Sequence, residues 1–239
     1  MLSLNNFFND PRVITLVSDR SMDFTLNGEP AFSGRQKVFL SKHLGPFAEK
    51  TVFLKQVHGD EVIPIRRSQP SSGFKEGDAL ITKERGVPLA VRSADCLPIF
   101  IFDPRTKAVG LVHAGWRGSR KAIVQNALRA MMRRWKTEPR HLKAAFGPAI
   151  RSCCYQVGEE FQAYFPDETR KRSDGFYLDL VLVNKNQLLG LGVKAENIFD
   201  CNLCTCCDSR FFSYRREGAK AGRMISVVML RDGLGLERH

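Results

Sequence analysis

The chain has 239 residues, enough to bury a substantial core in one large domain or two small ones. Hydrophobic residues make up 43% of it and charged residues 26%, which excludes a disordered chain. The net charge is +12, from 37 Lys and Arg against 25 Asp and Glu, so anionic ligands such as phosphates are favoured, with nucleic acid the other class to weigh.

No run of about 18 apolar residues occurs, so no membrane span is expected. The opening MLSLNNFFNDPRV lacks a basic stretch followed by an apolar one, so no signal peptide is expected and a cytoplasmic location is the reading. The seven Cys are an odd number, and in that compartment they are core residues, metal ligands or nucleophiles rather than a disulfide framework.

In chain order, β-branched and aromatic runs predict strands at Arg12–Val17, Thr51–Val57, Glu61–Ile65, Asp78–Thr82, Pro88–Arg92, Leu97–Phe102, Ala108–His113, Lys143–Phe146 and Ile225–Leu230. A run of breakers, Ser68–Gly73, predicts a mobile loop. Helices are expected over Ser119–Trp135, where Ile123, Ala127, Met131 and Trp135 recur at near-helical spacing, over Glu159–Tyr164, and over Leu178–Leu189 with Gly190 and Gly192 as stops. The basic group Arg129, Arg133, Arg134, Lys136, Arg140 and Lys143 reads as the solvated face of the first helix. Strand pairs and scattered helices together predict a mixed α/β domain, not a doubly wound one.

The informative stretch is Pro88–Gly118. Asp103–Lys107 is a turn signal between the strand patterns LPIFIF and AVGLVH, which together read as an antiparallel hairpin. If Phe102 faces Ala108, Leu97 faces His113, and Cys96 lies beside His113 to within a residue. Such cross-strand pairs hold their Cβ atoms about 5 Å apart, which suits two ligands of one metal or a Cys–His catalytic pair. A buried structural Cys beside a core His is the competing reading. His58, in Lys55-Gln-Val-His-Gly-Asp60, is the best-placed third donor, because His43 and His141 sit in polar loops and His239 is terminal. Two His and one Cys suit zinc, and three protein ligands leave a fourth position open, as in a catalytic site. After His113, Ser119 is expected as an N-cap, and the helix start with Arg117 forms an anion site. Gly115 and Gly118 would let backbone approach a ligand there.

The run Cys201, Cys204, Cys206 and Cys207 is not read as a second metal site, because adjacent Cys206 and Cys207 diverge along an extended chain and no His lies nearby. Cys153 and Cys154 are read as core packing.

Lys55-Gln-Val-His-Gly59, Gly77-Asp-Ala-Leu-Ile-Thr82, Ser93-Ala-Asp-Cys-Leu-Pro98, Val112-His-Ala-Gly-Trp-Arg-Gly118, Phe146-Gly-Pro-Ala-Ile150, Phe212-Ser-Tyr-Arg-Arg216 and Gly222-Arg-Met224 occur in this order. The set resembles the bacterial laccase-domain family, also called multicopper polyphenol oxidoreductase-like or peptidoglycan-editing-factor proteins, from about residue 50 onward. The resemblance implies one domain over 1–239 of packed, largely antiparallel sheets with flanking helices. It implies that His58, Cys96 and His113 match the zinc ligands, and that Gln56 and Asp78 fall at motif positions near the site. It also implies phosphorolysis of adenosine, inosine, guanosine or methylthioadenosine, and deamination of adenosine. Phosphate would then be held by Arg117 and the helix start, with Asp78 as proton-transfer group and Gln56 on the substrate. The N-terminal third departs from the family pattern, with Ser18-Asp19-Arg20 and only a short Asn27-Gly28 turn.

Three alternatives stand beside this one. A copper oxidase is disfavoured, since a three-copper cluster plus a blue-copper centre needs about ten His and the chain has five. A Cys–His amidase with Cys96 as nucleophile would fit peptidoglycan precursor editing. A nucleic-acid-binding module has no motif in its favour.

Overall fold

The computed structural model describes residues 1–26, 32, 34–66 and 75–231. The expected loop at 68–73, the Asn27-Gly28 turn and His239 lie outside the described residues. The strands are β1 (Val13–Val17), β2 (Val52–Phe53), β3 (Val62–Pro64), β4 (Ala79–Thr82), β5 (Leu89–Ser93), β6 (Leu97–Asp103), β7 (Ala108–Ala114), β8 (Lys143–Phe146), β9 (Gln156–Val157), β10 (Thr169–Arg172), β11 (Gly175–Leu178), β12 (Ile198–Asp200) and β13 (Met224–Leu230). The α-helices are α1 (Asn5–Phe8), α2 (Gly34–Leu44), α3 (Trp116–Arg120), α4 (Ile123–Trp135), α5 (Phe161–Tyr164), α6 (Leu180–Gly190) and α7 (Tyr214–Glu217).

A six-stranded sheet runs β12-β8-β6-β7-β4-β3, a four-stranded sheet β1-β13-β5-β2, and a small sheet β10-β11-β9. Pairing is largely antiparallel; β12 with β8, β2 with β5 and β3 with β4 are the parallel pairs among the described residues. This is the mixed α/β fold expected from the strand pattern.

Alternation within the strands builds the layers. Ile81, Ile99, Ile101, Val112 and Phe146 face α4 and α6, meeting Ile123, Leu128, Met131 and Leu188. Their neighbours Leu80, Phe100, Phe102, Leu111 and Ala145 face the other way, onto Val13, Leu89, Val91, Val228 and Leu230 of the four-stranded sheet. The outer face of that second sheet, with Leu16, Phe53, Ala90 and Val227, is covered by Leu40 and Leu44 of α2. Because β6 and β7 are covered on both faces, every residue in them is buried, which is why they read as continuous apolar runs.

Several elements differ from expectation. The helix expected from Ser119 to Trp135 is two helices, broken where Ala122 takes φ 60°, and Ser119 lies inside α3 instead of capping it. Ser119 is fully buried, and its hydroxyl accepts a hydrogen bond from Asn184 Nδ2 at 2.8 Å. The third helix starts later than expected, because Leu178 ends β11 and Asp179 caps α6, accepting from the Leu182 N–H at 2.9 Å. The long helix α2 carries too narrow an apolar stripe to be read, since Val38 is 70% exposed within it.

Candidate metal centre

The functional side chains gather where β4 begins, β7 ends and β6 begins, one end of the six-stranded sheet made common by antiparallel pairing. Pro98 pairs with His113 and Leu97 with Ala114, one residue away from the expected register. The difference decides the site. Side chains alternate along a strand, so the expected register would have sent Cys96 to the opposite face. In the observed one, Cys96 lies two residues from Pro98 and joins His113 on the face toward the four-stranded sheet, while Leu97 packs under α4.

His58, Cys96 and His113 each bring one donor atom, all within 4.8 Å of one another, an arrangement that could hold a metal ion. The His58 and His113 rings meet edge to face, with centroids 4.9 Å apart. His58 adopts φ 56°, an uncommon conformation for a residue with a side chain. Asp78 holds it there. Asp78 Oδ1 accepts from the His58 N–H at 3.0 Å, while Oδ2 accepts from the Gly59 N–H at 2.7 Å and the Val57 N–H at 3.2 Å. Asp78 Oδ1 also lies 2.8 Å from His113 Nδ1. Burial resists ionisation of Asp78, but the His113 hydrogen bond and charge and these N–H donors outweigh it and lower its pKa. An ionised carboxylate only accepts, so His113 Nδ1 donates and Nε2 is left to face the donor cluster.

Burial opposes ionisation of Cys96 too, yet the His113 charge and hydrogen bonds from His113 and His58 bring its thiol down to about 6. Burial likewise disfavours protonated His113, but the Cys96 charge and the Asp78 hydrogen bond raise it to about 9. Gly115 completes the cradle: a Cβ there would stand 3.0 Å from Cys96 Sγ and 3.2 Å from His58 Cδ2. Gly118 has a different use from the one expected. A Cβ on it would lie 2.8 Å from the Gly59 carbonyl oxygen, so it brings α3 close to the His58 loop rather than to a ligand.

These donors open into a cleft of about 540 Å³. Gln56 and Arg117 line it, and Asp78 does not. Asp78 is fully buried behind His113, with its oxygens already occupied, so its geometry is that of a positioning group and not of a proton carrier to substrate. The Gln56 amide donates to the Arg92 carbonyl and accepts from the Arg92 N–H, both at 2.8 Å, tying the loop after β2 to β5. Arg117 is exposed, its guanidinium 4.6 Å from the Trp116 ring centroid.

Sequence reasoning missed much of the cleft. Arg92, Arg215 and Arg223 line it beside Arg117, and Trp116, Tyr155 and Tyr214 supply aromatic walls. Burial and the Arg223 charge both depress the Arg92 pKa, and Arg92 Nε is buried without a hydrogen-bond partner among the described residues. Such a guanidinium cluster, unbalanced by free carboxylates, favours a bound anion. Asp95, the cleft carboxylate, is committed: Oδ1 accepts from Thr205 Oγ1 at 2.6 Å and Oδ2 from the Arg215 N–H at 2.7 Å. Asp95 holds φ 87° in the turn that aims Cys96. The only signal for Arg215 and Arg223 was their place in quoted motifs.

Cys153 and Cys154 are not core residues, the first being exposed and the second half-buried. They converge with Cys204 and Cys207, all four sulfurs within 4.8 Å, against the expectation that no second cysteine cluster forms.

A sequence model described as multi-copper polyphenol oxidoreductase laccase matches residues 28–231. The chain is 35% identical over 201 residues to the purine nucleoside phosphorylase YlmD of Geobacillus stearothermophilus, covering 77% of this chain and 73% of that one. It is 34% identical over 224 residues to a purine nucleoside phosphorylase of Deinococcus radiodurans, covering 91% and 83%. Among solved structures, the YfiH protein of Bacillus licheniformis superposes with a TM-score of 0.83 at 26% identity, covering 92% of this chain and 93% of that one. The YlmD structure from Geobacillus stearothermophilus gives 0.81 at 29% identity, with 93% of each chain covered. With the family model spanning most of its length, the chain belongs to the multi-copper polyphenol oxidoreductase laccase family.

Proposed function

We propose that residues 1–239 form one zinc-dependent purine nucleoside enzyme, acting in the cytoplasm. It would phosphorolyse adenosine, inosine, guanosine and methylthioadenosine and deaminate adenosine. The observation that carries this reading is a thiolate–imidazole donor set opening into the same cleft as four guanidinium groups and aromatic walls. Relatives named purine nucleoside phosphorylase support it.

The donor chemistry fits zinc, with one thiolate and two imidazoles. A zinc ion there would supply a Lewis acid with an open fourth position for water or a substrate atom. The chain's own residues do the rest. Asp78 fixes the His113 tautomer and the His58 loop. Arg117, with Arg92 and Arg215, holds phosphate. Trp116 and Tyr155 enclose the purine, and Gln56 sets Arg92 by holding its backbone. In phosphorolysis a phosphate oxygen bonds to ribose C1′ as the C1′–N9 bond breaks, its electron pair passing to the base, which takes up a proton. In deamination water adds at C6 and ammonia leaves. Purified zinc-loaded protein with inosine and phosphate should yield hypoxanthine and ribose 1-phosphate; no product would sink the reading.

Multicopper chemistry is disfavoured on donor count, since among the described residues the metal-capable groups contain just two histidines, His58 and His113. A single copper ion in the same three donors is the lesser alternative. One observation favours a second reading. Without metal, Cys96, His113 and Asp78 are aligned as nucleophile, base and orienting carboxylate, the arrangement of a Cys–His amidase for peptidoglycan precursors. Stoichiometric zinc held by Cys96 would leave no free nucleophile, so metal analysis separates the two.

A further inference from the structure

The parallel strands β8 and β12 end side by side at one edge of the six-stranded sheet, and a cysteine-bearing turn follows each. Their pairing continues as a bridge between Ala149 and Cys204, with the Thr205 N–H donating to the Ala149 carbonyl at 3.1 Å. Beyond it the first chain turns at Arg151–Cys154, where the Cys154 N–H donates to the Arg151 carbonyl at 2.9 Å. That turn makes the neighbouring Cys153 and Cys154 converge, where an extended chain would part them. The second chain turns at Cys204–Cys207, closed by the Asp208 N–H on the Cys204 carbonyl at 2.9 Å. Cys204-Thr-Cys-Cys207 is therefore a C-x-x-C turn, the ligand spacing of structural zinc sites.

We propose that Cys153, Cys154, Cys204 and Cys207 form a second metal site, a four-thiolate structural centre for zinc. The sulfurs of Cys154 and Cys207 are 3.2 Å apart and those of Cys153 and Cys207 3.6 Å, with all four inside 4.8 Å. A tetrahedron with Zn–S bonds of about 2.3 Å has edges of about 3.8 Å, a length within the range the four sulfurs span, so adjustments of well under an ångström at the two short pairs would suit the ion. Backbone N–H groups of Cys206, Cys207 and Arg151 are turned toward Cys204 Sγ, donors of the kind that orient a metal-bound thiolate. Cys206 and Cys201 stay outside the group, and Cys201 packs on the core between the two sheets.

The site would be a staple for the cleft mouth. Thr205, inside the C-x-x-C turn, donates to Asp95, and Arg216 donates to the carbonyls of Thr205 at 2.9 Å and Cys206 at 2.8 Å. Those contacts set the segment that presents Tyr214 and Arg215 to the cleft. Losing the ion should therefore raise KM more than it lowers kcat.

The test is elemental zinc analysis of the full chain purified under reducing conditions. The wild type is expected to carry one more equivalent than the Cys154→Ser/Cys207→Ser variant, and Cys96→Ser should keep that extra equivalent even if it loses the first. Equal zinc in wild type and the double variant would overturn the proposal. So that a misfolded variant cannot blur the result, wild-type protein is alkylated with iodoacetamide with and without a chelator, and peptides are read by mass spectrometry. The four cysteines should be protected only while zinc is bound, with Cys206 as internal reference. Equal labelling in both conditions, or recovery of the four as disulfides, would refute a metal centre.

Discussion

The Asp78 carboxylate lies 2.8 Å from His113 Nδ1 while the same oxygen accepts the His58 N–H at 3.0 Å. One buried group therefore orients two of the three candidate metal ligands, one through its ring and one through its backbone. This is possible because Asp78 immediately precedes β4, across from the end of β7 that carries His113; the His113 N–H also donates to the Asp78 carbonyl at 2.7 Å.

Replacing Asp78 by Asn tests that arrangement. The amide keeps the shape but must point an N–H at groups that already donate. Zinc affinity, measured by competition with a chromophoric chelator, should fall about 10- to 100-fold. Thermal unfolding should lose about 1–3 kcal/mol for the unsatisfied buried donors. Unchanged zinc affinity would remove Asp78 from the site.

Gly115→Ala probes the cradle without touching a ligand. Gly115 has φ −83°, which alanine accepts, so any effect comes from the added Cβ at 3.0 Å from Cys96 Sγ. Metal affinity should drop by about tenfold while the melting temperature of the metal-free protein barely moves. A variant that binds zinc like wild type would show that the cradle has slack.

The pH response of Cys96 follows from its surroundings. With its thiol lowered to about 6 by His113 and His58, metal-free protein should hold Cys96 as thiolate throughout the neutral range. Its alkylation rate should be flat above neutrality and fall as acid passes through about pH 6. An inflection near the ordinary thiol value of 9.0 would mean that the His113 charge is not felt. Zinc binding near neutrality should release a proton, because His113, raised to about 9, must be neutral to ligate; calorimetry in buffers of different ionisation enthalpy reads it directly.

Arg117→Ala separates phosphate binding from nucleoside binding. Loss of one charge-assisted contact is worth about 1.5–3 kcal/mol, so KM for phosphate should rise about 10- to 100-fold. KM for inosine should change much less. Equal effects on both would assign Arg117 to general cleft shape instead.

Local sequence determined a good deal. Runs of β-branched and aromatic residues, with turn residues between them, marked a strand in each of the nine expected places, although the one expected over Thr51–Val57 is only Val52–Phe53. The hairpin of β6 and β7 placed Cys96 near His113, and elimination among five His added His58. Only the tertiary structure decided the rest. Register turns on a single residue, and composition at a turn does not set it, yet it decides whether Cys96 and His113 share a face. Asp78 looked like an acid–base group in sequence; its burial behind His113, visible only when β4 meets β7, makes it an orienting one. The edge strand β12 owes its form to β8, a partner distant in sequence, while β10 and β11 form a local hairpin whose strands are short and carry little apolar pattern of their own. Arg92 meets Arg215 and Arg223 from more than 120 residues away, and the two turns that collect four cysteines are themselves some 50 residues apart. Convergence of that kind is a property of chain topology, which no local run of residues encodes.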